Sequence, residues 1–442
     1  MRREGRGEKV EGRDLQTAQK LPQIRTKHFS TLHLLPSTLH PLPSTILPYP
    51  LKTMTTIFWF CIFLVFYTYI GYGILLYLLV RIKRVFLRGK NDDGNENEAM
   101  PEVTLMICAY NEEEIVDEKM ENTNALDYPK EKLHVLWVTD GSNDSTNERL
   151  SKYENVKTTF TPERKGKTAA LKHGIKDVTT SIVIMTDANT MLNKEAISVI
   201  VSKMSDPKVG CVAGEKRVMA RNTEQAAAEG EGLYWKYESC LKRLDSELHS
   251  TMGAAGELCA IRTELFEAMP NDTLLDDFIL SMRIVERGYR IAYASDAYAM
   301  EYGSADLHEE SKRKRRIAAG GLQSCWRLRS LMNPLIHPVT AFQFVSHRVL
   351  RWTITPFALV ALVPLNVALV LSNAGTVYNI IWALQILFYL SAFAGYVLEA
   401  RGHKNRLLYV PYYFLFMNLN VFRGIAYLSK KKTGTWEKAK RG

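Results

Sequence analysis

Paired cysteine motifs are missing from this chain of 442 residues. Cys61, Cys108, Cys211, Cys240, Cys259 and Cys325 have no CxxC spacing and sit mostly in apolar or strand-like contexts, so neither a zinc site nor a disulfide framework is implied. No Ser-His-Asp or Cys-His device is legible, and no internal repeat is visible. The segment Arg164-Lys165-Gly166-Lys167-Thr168 lacks the spacing of a Walker A loop, which removes support for a P-loop ATPase. Acidic residues are in deficit, 47 against 57 basic ones, leaving a net charge of +10. The surplus crowds beside apolar segments, at Arg81 to Lys90, Lys312 to Arg316 and Lys430 to Arg441. Membrane lipid headgroups and phosphorylated substrates are therefore the expected partners, and nucleic acid is not.

Charge is absent altogether from two stretches. No residue between Lys52 and Arg81 is charged, a run longer than the ~20 apolar residues a helix needs to cross a bilayer. It also exceeds the ~7–15-residue core of a signal peptide, and no small-residue cleavage site follows, so a retained span is expected. The cluster at its exit, Arg81, Lys83, Arg84, Arg88 and Lys90, places the next domain in the cytosol by the positive-inside rule. The second block, Trp352 to Leu398, is too long for one span, and Asn373-Ala374-Gly375 near its middle supplies the turn of a helical hairpin. A last hydrophobic stretch, Leu407–Phe422, contains Pro411, Asn418 and Asn420 and precedes Arg423 and Lys430 to Lys432. An interfacial or re-entrant course is expected there, because a full span would put the basic tail outside. These segments imply an integral protein of the inner or plasma membrane with a cytosolic catalytic domain.

Residues 1–53 show no hydrophobic period; disorder is expected, or translation from a mis-assigned start, since Met54 stands immediately before the span. A transmembrane helix at 54–80 and a basic, polar linker at 81–100 lead to a folded α/β domain at 101–305. An amphipathic interface helix at 306–333 and a transmembrane hairpin at 345–398 follow, then an interfacial, re-entrant or transmembrane segment at 407–429 and a basic tail at 430–442. Within the domain Val103–Ala109, Leu133–Thr139 and Ser181–Thr186 read as buried strands, with helices opening near Glu112, Ser145 and Lys167. That alternation predicts parallel strands with right-handed crossovers. Gly210–Met219, Leu258–Arg262 and Arg290–Met300 are predicted strands of the same sheet or of a small added one, separated by helices at Glu224–Ser250 and Asp277–Arg287.

Polar residues stand where the predicted parallel strands end: Tyr110 with Asn111 and Glu112, Asp140 in Asp140-Gly141-Ser142-Asn143-Asp144, and Asp187 in Asp187-Ala188-Asn189. In an open α/β sheet ligands bind at that edge, although Asp and Asn before a helix are also ordinary N-caps. Gly166 and Lys167 open a helix, where backbone N–H groups and the ammonium favour a phosphate. Together with Asp187 they suggest a diphosphate bridged to Mg²⁺ or Mn²⁺, cations held through a carboxylate and substrate phosphate. Asp276 and Asp277 begin a later helix; one can cap it while the other faces a cleft as general base.

The order of these elements resembles the membrane-bound family 2 glycosyltransferases, which include the cellulose, chitin, hyaluronan and poly-N-acetylglucosamine synthases. The elements are Ala109-Tyr110-Asn111-Glu112, Asp140-Gly141-Ser142, Gly166-Lys167 leading to Ala169-Ala170-Leu171, Asp187-Ala188-Asn189, Asp276-Asp277, and a basic motif in a long interfacial helix. The resemblance implies a GT-A-type, Rossmann-like mixed sheet flanked by transmembrane helices. It implies that Tyr110, Glu112, Asp140 and Ser142 hold the nucleoside of a nucleotide sugar, UDP-linked in most of the family, and that Lys167 holds its diphosphate. Asp187 matches the first Asp of the DxD metal motif, with Asn189 at the second. Asp277 matches the last residue of Thr-Glu-Asp, the base for the acceptor hydroxyl, with Asp276 in the Glu position and Leu275 in place of Thr. In the Gln-x-x-Arg-Trp region this chain reads Arg313-Lys314-Arg315-Arg316-Ile317. Arg313 and Arg316 keep positive charge for the diphosphate, but the tryptophan is absent, and Trp235 and Trp326 lie elsewhere in the sequence.

The function this implies is inverting transfer of a sugar from UDP-GlcNAc or UDP-glucose to a polysaccharide or lipid-linked acceptor at the membrane, with an oligomer or export partner completing any channel. Two other readings share the phosphate site: a non-catalytic nucleotide- or lipid-binding scaffold, and a lipid phosphoryl or nucleotidyl transferase.

Overall fold

The computed structural model describes residues 48–86, 100–219, 225–302, 307–401, 403 and 405–429. The expected extension before residue 48, the linker from 87 to 99 and the basic tail lie outside the described residues. Helices α1 (Pro48–Phe66) and α2 (Tyr72–Phe86) run on through a π-turn at Tyr67–Gly71. The first half of the α/β domain comprises β1 (Val103–Ala109), α3 (Val116–Asn124), β2 (Leu133–Asp140), α4 (Thr146–Leu150), β3 (Val156–Thr161), α5 (Lys167–Gly174) and β4 (Ile182–Asp187). The second half comprises β5 (Met191–Leu192), α6 (Ala196–Met204), β6 (Val209–Met219), α7 (Gln225–Leu248), β7 (Leu258–Arg262), α8 (Asp276–Glu286) and β8 (Arg290–Tyr302). Six helices end the described chain: α9 (Leu307–Arg327), α10 (Pro338–Phe344), α11 (Leu350–Trp352), α12 (Ile354–Leu371), α13 (Thr376–Ala400) and α14 (Arg406–Ser429).

The strands form one mixed sheet in the order β3-β2-β1-β4-β7-β6-β8-β5. The first four are parallel, and β7 runs antiparallel to both β4 and β6, so the later segments join the same sheet. Side chains alternate across the pleat. In β1, Leu105 and Ile107 pack on one face with Trp137, Ile197 and Ile200, while Met106 and Cys108 pack on the other with Val138, Phe278 and Ile284. A sheet covered on both faces explains why its strands read as unbroken apolar runs, each fully buried Leu, Ile or Phe contributing about 1.5–3 kcal/mol.

Three elements were not legible in the sequence. Strand β3 is a partly exposed edge whose Val-Lys-Thr-Thr-Phe-Thr run mixes polar and apolar positions. The two residues of β5 are too few to carry a period. Helix α6, Ala-Ile-Ser-Val-Ile-Val, is β-branched and looks like a strand, but packing of Ile197 and Ile200 beneath the sheet overrides that propensity. The helix expected near Glu112 starts only at Val116, because Asn111 adopts a left-handed φ of 52° and turns the chain into a loop.

Among the described residues three helices are long and apolar enough to cross a membrane: Pro50–Phe86, Ile354–Leu371 and Thr376–Ala400. The turn between the last two uses Asn373 at φ 49° and Gly375 at φ 139°. Leu407–Phe422 lies within α14, one continuous helix of 24 residues without the reversal a re-entrant course requires. That helix packs along α9, where Gly424 leaves no room for a side chain against Ala318 and Ala319.

The apolar helices are joined to the domain through α7. Tyr72, Leu76 and Val80 of α2 pack against Leu241 and Leu244 of α7. At the same junction His347 is fully buried, its Nδ1 2.5 Å from Asp245 and its Nε2 3.2 Å from Glu238. Glu238 also receives Arg348 at 2.6 Å and Arg351 at 3.0 Å, while Tyr72 and Gln343 donate to Asp245. Burial opposes charge on Glu238, yet Arg348 and His347 hold its carboxyl well below the usual range. Removing one member of such a network strands the others in low dielectric. Asp245→Ala is expected to cost about 3–5 kcal/mol, read as a clear fall in the unfolding midpoint of detergent-solubilised protein; an unchanged midpoint contradicts this account.

Candidate active site

The ends of β1, β2 and β4 lie side by side, with Ala109 opposite Thr139 and Cys108 opposite Asp187. Register alone therefore brings Tyr110, Asp140 and Asp187 to one edge of the sheet. The loops after β1 and β2 interlock there. The backbone N–H of Asn111 donates to Ser142 Oγ at 3.1 Å, that of Glu112 to Thr146 Oγ1 at 2.9 Å, and Asn111 and Asn143 exchange hydrogen bonds at 2.7 and 2.9 Å. The Arg164 guanidinium lies 3.7 Å over the Tyr110 ring.

Asp140 is 1% exposed. Its carboxylate accepts the backbone N–H groups of Lys165 at 3.0 Å and Gly166 at 2.6 Å, so it shapes the loop that opens α5. Gly141 sits beneath that loop at φ 68°, where a Cβ would come within 2.5 Å of the Arg164 nitrogen. Lys167 follows at the first position of α5 and reaches across to Asp187 Oδ1 at 2.6 Å. Burial works against the ammonium, but Asp187 and then Asp276 raise its pKa above the usual lysine value.

Asp276 and Asp277 come from the opposite side, at the start of α8. Leu275 packs on α9, where a Cβ on Gly320 would meet its Cγ at 2.5 Å. Gly256 forms the floor between the two halves: a Cβ there would lie 2.9 Å from Lys167 Nζ and 3.2 Å from Asp277 Oδ2. Burial, and then the neighbouring Asp276 charge, push the Asp277 carboxyl up to about 7, with Lys167 acting the other way. Asp276 Oδ2 is buried and accepts no hydrogen bond.

Behind Gly256, Glu257 and Glu301 share the buried Lys216 ammonium. Arg313 of α9 adds contacts at 3.4 Å to Glu257 and 3.6 Å to Glu301. Arg316, one turn further, has a buried Nε without a hydrogen-bond partner. The structure thus brings Asp140, Lys167, Asp187, Asp276 and Asp277 together near Gly256, with Tyr110, Glu112 and Ser142 in the interlocked loops and Arg313 on Glu257. Lys119, Lys216, Glu257 and Glu301 were missed from the sequence. Lys119 is a fully buried lysine in α3 that donates to the Thr190 carbonyl beneath the Asp187 turn; burial pushes its ammonium down to about 7. A charged residue on an otherwise apolar helix face was the available signal. Trp235 was set aside on sequence position, yet its ring lies against Lys314 of the α9 motif at 5.8 Å and against Lys216 at 5.7 Å.

A family model described as glycosyltransferase like family 2 matches residues 101–320. The chain carries a family 2 glycosyltransferase domain. Poly-beta-1,6-N-acetyl-D-glucosamine synthase of Staphylococcus aureus is 29% identical over 245 residues, 52% of this chain and 57% of that protein. The probable glycosyltransferase YdaM of Bacillus subtilis is 27% identical over 224 residues, 46% of this chain and 51% of that one. The chain spans about half the length of the curated relatives it matches. Among solved structures, the mannosyltransferase PcManGT of Pyrobaculum calidifontis, in complex with GDP-Man and Mn²⁺, superimposes with a TM-score of 0.62 at 21% identity, over 86% of this chain and all of that one. This glycosyltransferase domain therefore has the mixed GT-A sheet that the resemblance implied.

Among the described residues no group of three or more His, Cys, Asp or Glu side chains could hold a metal ion. Asp187 and Asn189 are nonetheless both half-buried, on either side of buried Ala188 in the turn after β4, and one carboxylate with an amide oxygen suits a hard cation that takes its remaining ligands from substrate phosphate. Mn²⁺ is thus expected to bind the protein only when UDP is also present, seen as loss of the free-ion electron paramagnetic resonance signal. Tight binding without nucleotide would refute this donor set.

Proposed function

We propose that this protein is an inverting glycosyltransferase that moves a sugar from a nucleotide sugar, UDP-GlcNAc or UDP-glucose, onto a polysaccharide or lipid-linked acceptor at a membrane. The observation that carries the reading is the placement of Asp277, a buried carboxyl with a raised pKa, across Gly256 from the Lys167–Asp187 pair. A base with a pKa near the operating pH is half-ionised and can still take a proton. The acceptor hydroxyl attacks the anomeric carbon, Asp277 takes its proton, and the bond from that carbon to the diphosphate oxygen breaks. The nucleoside diphosphate leaves with the electron pair.

The cleft's remaining residues divide into donor binding and charge control. Tyr110, Glu112 and Ser142 border the nucleoside, while Asp140 shapes the loop that presents Gly166 and Lys167 to the diphosphate. Lys167 supplies positive charge where negative charge develops on the leaving group, the electrostatic role that dominates such transfers. Arg313 and Arg316 lie toward the same group from α9. Asp187 and Asn189 would hold Mg²⁺ or Mn²⁺, which when bound neutralises charge on the diphosphate. The synthase of Staphylococcus aureus supports an N-acetylglucosamine donor, and the basic exit of α2 supports a cytosolic domain, where nucleotide sugars are made.

Two outcomes are expected. Asp277→Asn should lower turnover by about 10³-fold or more while UDP affinity stays within about twofold, because the lost group acts mainly in the transition state. Purified mutant that retains activity would sink the assignment. In the native enzyme kcat/KM should rise about tenfold per pH unit up to about 7 and level off above it, since only ionised Asp277 accepts the proton. A flat profile between pH 5 and pH 8 would exclude Asp277 as the base.

A further inference from the structure

The structure holds a cleft of about 520 Å³ between β6, α7 and β8, bordered by Glu215, Arg217, Trp235, Lys236, Ser239 and Arg243. It opens where the β6–β8 ladder breaks: Gly214 pairs with Ala294 but the next residue, Glu215, pairs with Tyr298. Ser295 to Ala297 bulge from the sheet, the kind of irregularity that re-aims side chains beside functional sites. Helix α7 turns two faces to different neighbours. Tyr237, Leu241, Leu244 and Leu248 lie on α2, while Trp235, Ser239 and Arg243, four residues apart, line the cleft.

We propose that this cleft docks the acceptor glycan and that Trp235 is the platform on which an acceptor sugar ring stacks, an inference that rests on the glycosyltransferase reading above. Three observations carry it. The first is position along the sheet. The residues assigned to the nucleotide stand at the ends of β2, β1 and β4, Gly256 with Asp277 stands beside β4 and β7, and the cleft lies beyond, at β6 and β8. In an inverting displacement the incoming hydroxyl arrives from the side opposite the departing diphosphate, with the base beside that hydroxyl. The second is continuity. Lys216, in the wall under Trp235, pairs with Glu257, the residue after Gly256, so the cleft meets the catalytic floor through one ion pair. The third is chemistry. A large aromatic face next to Ser239 and Glu215, which already share a hydrogen bond of 2.6 Å, offers an apolar surface for the face of a pyranose and polar atoms for its hydroxyls.

Trp235 therefore supplies from α7 the aromatic border that Ile317 of α9 lacks. The Lys216 and Lys314 ammoniums stand 5.7 and 5.8 Å from its ring centroid, which ties its orientation to both the catalytic floor and the α9 motif.

The test uses the full chain in native membranes or proteoliposomes, with UDP release from UDP-GlcNAc and UDP-glucose measured against added tri-N-acetylglucosamine. Trp235→Ala should raise the KM for the oligosaccharide about tenfold, the size of a lost aromatic stacking contact, with the donor KM within about twofold of wild type. Trp235→Phe should restore the KM to within about threefold of wild type. In the Asp277→Asn background, saturation-transfer NMR should show the oligosaccharide bound, and Trp235→Ala should remove that signal. An unchanged acceptor KM in Trp235→Ala overturns the proposal. So does loss of donor binding in both Trp235 variants, which would mark the ring as packing alone, or a KM effect confined to Lys236→Ala with Arg243→Ala, which would mark the cleft as a site for an anion. Wild-type protein that binds the oligosaccharide through Trp235 but releases no UDP would instead overturn the glycosyltransferase reading and leave the subsite standing.

Discussion

The active cleft depends on one buried ammonium. Lys167 Nζ sits 2.6 Å from Asp187 and within the field of Asp276, with Asp277 across Gly256. An isolated charge at that depth is too costly to keep, and three carboxylates clustered without a cation would repel one another. Each side makes the other tolerable. The same balance sets the charge states: Lys167 stays protonated, while Asp277, further from it than Asp187, has its carboxyl raised to about 7. Lys167 is held in place in turn by the Asp140 carboxylate, which gathers the N–H groups of Lys165 and Gly166 so that α5 begins at a defined point.

A second buried network, where α2, α7 and the segment before α12 meet, fixes where that cleft stands relative to the apolar helices. His347, Glu238, Asp245, Arg348 and Arg351 lock α7 to the segment that precedes α12, and Tyr72 brings in α2. Charged groups this deep are poor sources of net stability but strong sources of specificity, since any other packing strands several of them. Helix α7 carries the consequence into the site, because the helix whose Asp245 and Glu238 join this network also brings Trp235 against Lys216 and Lys314. Helix α9 does the same from the other flank, with Arg313 on Glu257 and Gly320 over Leu275.

Much of this was legible in the sequence because strands and strand ends are local patterns. The runs at Val103–Ala109 and Leu258–Arg262 were read to the residue, and Asp140 and Asp187 were singled out because each ends an apolar run. The misses share a cause. Strand β3 takes its place by pairing with β2, and α6 is held helical by burial of Ile197 and Ile200; neither force has a local signature. Asn111 lies in a left-handed turn that delays α3, which depends on bonds to Ser142 and Asn143 some 31 and 32 residues away.

The sequence by itself determined the uncharged runs that can span a bilayer, the alternation of strands and helices that makes a GT-A sheet, and the order of Asp140, Lys167, Asp187 and Asp277 along the chain. Those are consequences of composition and period over ten or twenty residues. Only the tertiary structure decided which charges meet. Lys216 pairs with Glu257 and Glu301 across separations of 41 and 85 residues, and Trp235 reaches the α9 motif although nothing near it in sequence points there. A residue's partner in the fold is set by the path of the whole sheet, so the electrostatics of the cleft and the aromatic wall beside it exist only once that sheet has closed.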